Sequence, residues 1–335
     1  MKNIFLLGRV VLFVVLGVLL SSPAQSAPKY LFKLASIAPE GSVWTKRFQG
    51  FVAEVEAKSQ GEVGFKVYPG GVMGDDRAMY RKMRVGQLHG GGFTMTGIGS
   101  IVPDFRVMGI PFLFRSYEEV DKVREGLWPS FSDSFAKKGL ELMAFTEVGF
   151  AYTMSTFPIA SLDDMHKGKT WTPEGDPVSS SYLEELGVSP VQLSIPDVLI
   201  SLQTGMVDTV FNSFYGSIVL QWFTKTKYIF DIPFAYAYGA FLLDRKTFLR
   251  LPAHHALLMK DAARRHFGLL LQDTRESNRE ALEALQQNGA ILVKVDPGTD
   301  EKLRAVRNKT IQNIRGKAFS EEILEATLKI LDGMQ

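Results

Sequence analysis

Apolar positions change their spacing several times along the chain, and each change marks an element. Tyr30 to Ala35 reads as a short strand, and Gly41-Ser42 then opens a helix in which Trp44, Phe48, Phe51, Val52 and Val55 recur at helical spacing up to Gly61. Val63, Phe65 and Val67 alternate as a second strand closed by Pro69-Gly70-Gly71. A helix from about Asp75 to Val85 follows, with Met79, Tyr80 and Met83 inward and Gly86 at its end. Alternating strands and helices predict an α/β fold with a mainly parallel sheet covered on both faces.

Two longer runs stand apart. Leu140 to Thr156 and Tyr228 to Asp244 are each long enough to pass from one lobe into another and back. Between them, Asp164 to Asn212 reads as strand, helix, strand, helix, strand, with Trp171 where the first strand meets its turn and Asn212 at the end of the last. Strand ends of an α/β lobe are where small ligands are held, so this stretch is expected to form half of a binding cleft. The helix expected from Pro252 to Asn288 would run ~54 Å at 1.5 Å per residue, long enough to brace both lobes. Ile291, Val293 and Val295 alternate as a last strand, and two amphipathic helices complete the chain. The expected division is 27–148 plus about 238–277 for the first lobe and 149–237 plus about 278–335 for the second.

Composition adds where such a protein works. Lys2 and Arg9, the apolar run Val10 to Leu20 and the small-residue site Ala24-Gln25-Ser26 read as a cleavable signal peptide over 1–26. Its apolar core is shorter than the ~20 residues that span a bilayer. Without Lys2 and Arg9 the 38 basic residues become 36, against 36 acidic ones, so nothing favours nucleic acid as a partner. Cysteine is absent, which in an exported chain of 335 residues implies a core that needs no disulfides, and the periplasm fits best.

Candidate chemistry is sparse. The glycines at Gly90 to Gly92 and at Gly97 and Gly99 lack nucleotide-loop spacing and are read as close backbone approaches or turns. The five histidines include no H-E-x-x-H, and no G-x-S-x-G elbow occurs. Adjacent His254 and His255, Glu184 and Glu185, and Asp163 and Asp164 are expected to be solvated, since neighbouring side chains do not converge. No catalytic residue, metal ligand or cofactor is expected, and the chain reads as a binding protein rather than an enzyme.

The segments LFKLASIAPEGS, KSQGEVGFKVYPGGVMGDDRAM, RVGQL, IPFLF, SLDDMHKGKTW and LQTGMVDTVFN, with the block from TKYI to LLDRKTFLRLP, resemble the DctP-type solute-binding proteins of TRAP transporters. The resemblance implies a two-lobed fold of the periplasmic-binding-protein kind (type II-like), two crossing strands, a long bracing helix and hinge closure on one solute. It also implies delivery to a small and a large TRAP membrane subunit, with the receptor a monomer.

Departures from the family pattern bear on the ligand. The resemblance places an arginine, the usual carboxylate clamp, where this chain has Trp171, and a second where it has Ala151. Asn212 is kept, while the acidic residue before it is replaced by Phe211. Leaving a buried charge without its partner costs roughly 3 to 5 kcal/mol, two to four orders of magnitude in affinity. A neutral, apolar, aromatic or cationic ligand is therefore expected. The candidate ligand-binding set is Trp171, Asn212, Phe150, Ala151, Tyr152, Phe211, Tyr215, Phe93, Thr94, Ile37, Tyr236 and Tyr238, with Phe214 beside it. Lys169, Arg81 or Arg106 would rescue an anion if one of them reached the cleft. Glu147, Glu174 and Asp176 would suit a cation there, although exposed surface is the expected place of each.

Overall fold

The computed structural model describes residues 27–334, so the expected signal peptide lies outside the described residues. The chain begins β1 (Tyr30–Ser36), α1 (Val43–Lys58), β2 (Val63–Tyr68), α2 (Asp76–Arg84) and β3 (Gly90–Thr94). Ser42 and Asp75 cap the two helices by accepting from Thr45 N and Ala78 N, which satisfies otherwise unpaired N–H groups at the first turn. A short helix α3 (Met95–Ile98) and a 3₁₀ turn (Pro103–Gly109) lead to α4 (Tyr117–Lys137). The apolar pattern alone leaves α4 unassigned, and Pro129 lies in its interior.

The crossing run forms β4 (Leu140–Ser155). Then come α5 (Leu162–Met165), β5 (Trp171–Pro173), α6 (Pro177–Glu185), β6 (Val191–Leu193), α7 (Val198–Thr204), β7 (Thr209–Asn212) and α8 (Phe214–Val219). The return run is β8 (Tyr228–Asp244), followed by α9 (Arg245–Phe248), α10 (Ala253–Gln287), β9 (Ile291–Val293), α11 (Thr299–Ile314) and α12 (Glu321–Asp332).

Seven strands form one sheet in the order β2, β1, β3, β8, β4, β7, with β9 on β8. β1 pairs in parallel with β2 and β3, but β8 lies antiparallel to both β3 and β4, and β7 is antiparallel to β4. The sheet is thus mixed rather than mainly parallel, because two long strands cross it in opposite directions. They pair from Leu140 opposite Asp244 to Ser155 opposite Tyr228. Bulges interrupt that ladder, one of them between Glu147 and Gly149. Gly149 has φ +103°, and a Cβ there would come 2.7 Å from Asn278 Nδ2, so the bulge requires glycine. Gly90 and Gly91 belong to β3, where a Cβ on Gly91 would sit 2.0 Å from Ala35 O. They serve strand packing, not a loop.

Three apolar cores follow. One gathers Phe105, Phe131, Phe135, Tyr236 and Tyr238. Another holds Phe32, Phe51, Phe241 and Phe267. The third contains Trp171, Tyr182, Phe211, Trp222 and Phe234. α10, 35 residues and ~52 Å long, places Phe267 in the second core and Leu285 in the third, so it braces both ends of the molecule. α12 sets Ile323 and Leu324 in the first core with Phe131 and Phe135 of α4. His255, expected in solvent, is buried with Nε2 2.9 Å from Glu62 Oε2.

Candidate functional site

Where the three cores meet, a cavity of about 460 Å³ opens, a size suited to a compact solute. Trp44, Trp171 and Trp222 line it, together with Phe93, Phe211, Phe234, Tyr236 and Tyr238. β5 presents Trp171, β7 presents Phe211 and Asn212, and the middles of β4 and β8 supply the floor. The rings hold one another: Trp171 and Trp222 meet edge to face at 5.3 Å, and Phe211 stacks on Phe234 at 4.1 Å. The polar tips of Trp171 and Trp44 are used internally. Trp171 Nε1 donates to Leu193 O at 3.0 Å, and Trp44 Nε1 donates to Glu147 O at 2.8 Å. What they offer a ligand is therefore ring face.

Of the candidate set, the cavity is lined by Ile37, Phe93, Thr94, Ala151, Trp171, Phe211, Asn212, Tyr236 and Tyr238. Phe150, Tyr152 and Tyr215 are not in its wall. They flank Ala151 or lie beyond it, and a bulge falls between Ala151 and Tyr152 in β4. Phe150 packs on Tyr117 at 4.8 Å, and Tyr152 stacks on Phe214 at 4.2 Å. Tyr215 instead accepts a hydrogen bond from Val43 N at 3.0 Å and sets its ring edge on Trp44, joining α8 to the start of α1.

The charged groups are distributed unevenly. Among the described residues the lining holds Glu40, Glu147 and Asp176 and no lysine, arginine or histidine. Glu147 and Asp176, expected at the surface, are 0% and 2% exposed, while Glu174 is exposed and pairs with Arg77 at 2.9 Å. Arg275 from α10 donates to both oxygens of Glu147 at 2.9 Å, and Tyr236 Oη donates to Oε2 at 2.8 Å. Burial works against the Arg275 charge, but the hydrogen bonds to Asp121 and Glu147 outweigh it and raise its pKa. Asp176 caps α6 by accepting from Val178 N at 3.1 Å, and burial pushes its carboxyl upward against that bond. Asn212 is 7% exposed; its Oδ1 accepts from Ser213 N at 2.9 Å, and its Nδ2 has no partner. None of the three cations that would rescue an anion lines the cavity. Lys169 donates to Gly205 O, Arg106 donates to Ala318 O, and Arg81 is exposed.

Thr94 is held from behind by Asp76, which accepts from its N–H at 3.1 Å and its hydroxyl at 2.6 Å. Burial raises the Asp76 carboxyl from its ordinary 3.8 to about 6. Between those values the folded chain takes up a proton that the unfolded chain does not hold, so stability falls as pH rises through this window and is level above it. Lowering pH from 7 to 5 should thus gain about 1 kcal/mol from this group. Urea unfolding at the two pH values should show that gain, and Asp76→Asn should remove it.

Trp44, Trp222, Phe234 and Asp176 are cavity residues outside the candidate set. Trp44 carried only the helical spacing of α1, which marks a buried face without saying what lies beyond it. Trp222 sits in a 3₁₀ turn with no periodic signal.

The model of the family described as "Bacterial extracellular solute-binding protein, family 7", DctP, matches residues 34–317. A solute-binding protein of Chromohalobacter salexigens is 29% identical over 59% of this chain and 60% of its own length. The C4-dicarboxylate-binding periplasmic protein DctP of Rhodobacter capsulatus is 24% identical over 85% of each chain. The fold superposes on the sugar acid binding protein DctPAm of Advenella mimigardefordensis, solved in complex with galactonate, with a TM-score of 0.86, 20% identity and coverage of 92% of this chain and 100% of that one. The chain therefore belongs to the DctP family of TRAP-type extracellular solute-binding proteins.

Proposed function

We propose that the protein is the periplasmic receptor of a TRAP transporter for a small solute that is neutral or cationic rather than a simple carboxylate. The observation that carries this reading is the wall of the cavity, which among the described residues holds no lysine, arginine or histidine. An acid placed there would lose water without gaining a cation, the condition that costs roughly 3 to 5 kcal/mol. Ring faces and the free Asn212 Nδ2 favour a solute with an apolar body and one hydrogen-bond acceptor. This departs from the acids that two of the related proteins are named for.

In this reading segment 1–26 is removed on export, and the monomeric receptor performs no chemistry and uses no cofactor. One lobe comprises 27–148, about 238–277 and α12; the other comprises 149–237 and about 278–314. They close around the solute by bending at β4 and β8, and the loaded form docks on a small and a large membrane subunit. Purifying residues 27–335 and identifying the released solute by mass spectrometry tests the claim. A neutral or cationic compound is expected, and succinate or galactonate should leave the melting temperature unchanged. Strong stabilisation by either acid would overturn the reading.

A further inference from the structure

We propose that Asp176 supplies the counter-charge for a cationic nitrogen of the solute, in the cavity that Trp171 and Trp222 also line. The inference rests on the reading of the cavity as a site for neutral or cationic solutes and narrows it to one class, compact ammonium or quaternary ammonium compounds bearing a hydroxyl or carbonyl oxygen.

The three acids of the wall are not equivalent. Glu147 is saturated by Arg275 and Tyr236. Glu40 lies exposed at the rim and accepts from Gln49 Nε2 at 2.8 Å. Asp176 alone is both buried and without an ion pair among the described residues. Arg106, the cation whose field reaches it, does not line the cavity and commits its Nη1 to Ala318 O at 3.1 Å. Asp176 accepts from Val178 N at 3.1 Å and from the side chain and backbone of Ser179 at the start of α6, and a carboxylate with about four lone-pair sites keeps one for a further donor.

Two observations independent of that carboxylate point to a ligand. Trp171 and Trp222 line the cavity and meet edge to face, at 79° with centroids 5.3 Å apart, so their aromatic surface is part of its wall. A cation over an indole face gains about 0.5 to 2 kcal/mol, most when dehydrated. The buried Asn212 Nδ2 lines the same cavity with no acceptor in the protein. A solute oxygen would complete it.

Choline and its neutral carbon isostere 3,3-dimethylbutan-1-ol share shape and hydroxyl and differ in charge, so calorimetric titration of residues 27–335 with each isolates the cation. Choline should bind at least about tenfold more tightly. Asp176→Asn should abolish that preference, bringing the two affinities within about threefold of each other, and asparagine caps a helix as well as aspartate. Equal affinities, a choline preference that survives Asp176→Asn, or binding of neither compound overturns the proposal. Equal affinities would leave the neutral-solute reading standing. Tighter binding of succinate or galactonate than of both probes would bring down that reading as well.

Discussion

Arg275→Met should lower the free energy of unfolding by roughly 3 to 5 kcal/mol, because it strands the fully buried carboxylate of Glu147 without its cation. Arg275 reaches from the bracing helix to three places at once. It holds both oxygens of Glu147 on β4, both oxygens of Asp121 on α4 at 2.8 and 2.6 Å, and the ring face of Tyr117 at 4.3 Å. Tyr236 on β8 completes the shell of Glu147. Methionine keeps much of the apolar stem and removes the charge, so the loss is not one of packing alone. Glu147→Gln should cost less, about 1 to 2 kcal/mol, since Arg275 retains Asp121. The double variant should be more stable than the sum of the single losses predicts, by at least about 1 kcal/mol. Urea denaturation of all four proteins measures this. A loss below about 1 kcal/mol for Arg275→Met would mean that Glu147 is not held as a charge.

How far such a network was legible in the sequence depends on the distance over which its cause acts. The crossing strands were readable because runs such as LELMAFTEVGFAYTMS have few other uses, and the long helix because its stripe persists for ten turns. Both follow from local period. The Glu147 to Arg275 bond joins residues 128 apart in sequence, and no spacing rule connects them. Glu147 was expected at the surface, and its burial follows only from the packing of β4 against α10. The direction of β8 relative to β3 was likewise beyond local pattern, since a mixed sheet and a parallel one use the same alternating strands.

The cavity divides in the same way. Trp171 and Asn212 end short strands of one lobe, and strand ends of an α/β lobe locate a cleft by topology. Ala151 was placed by resemblance; alternation along a strand could not decide between it and its neighbours, because β4 is bulged between Ala151 and Tyr152. Trp44 and Trp222 arrive from a helix and a turn distant in sequence, so only the packed fold brings them to Trp171.

Ala151→Phe should empty the receptor with little cost to its fold. Ala151 is a small residue of the cavity wall, at the position where a charged clamp is expected from the family pattern. A benzyl group there adds roughly 100 Å³ or less to a wall around about 460 Å³ of free space, so it can enter the cavity without displacing core side chains. Overpacking of a full core would instead cost 1 to 3 kcal/mol. The thermal midpoint of ligand-free protein should accordingly move by no more than a few degrees. Solute affinity should fall at least about a hundredfold, the equivalent of 2.7 kcal/mol or more, because the added ring occupies the space between Trp171 and Tyr236 where the apolar body would lie. Native mass spectrometry of wild-type and variant protein prepared side by side reads the outcome whatever the solute is: a ligand-bound mass in the wild type and its absence in Ala151→Phe. Retention of the same bound mass by a folded Ala151→Phe protein would place the solute elsewhere, and with it would go the argument that the missing arginine clamp decides what this receptor carries.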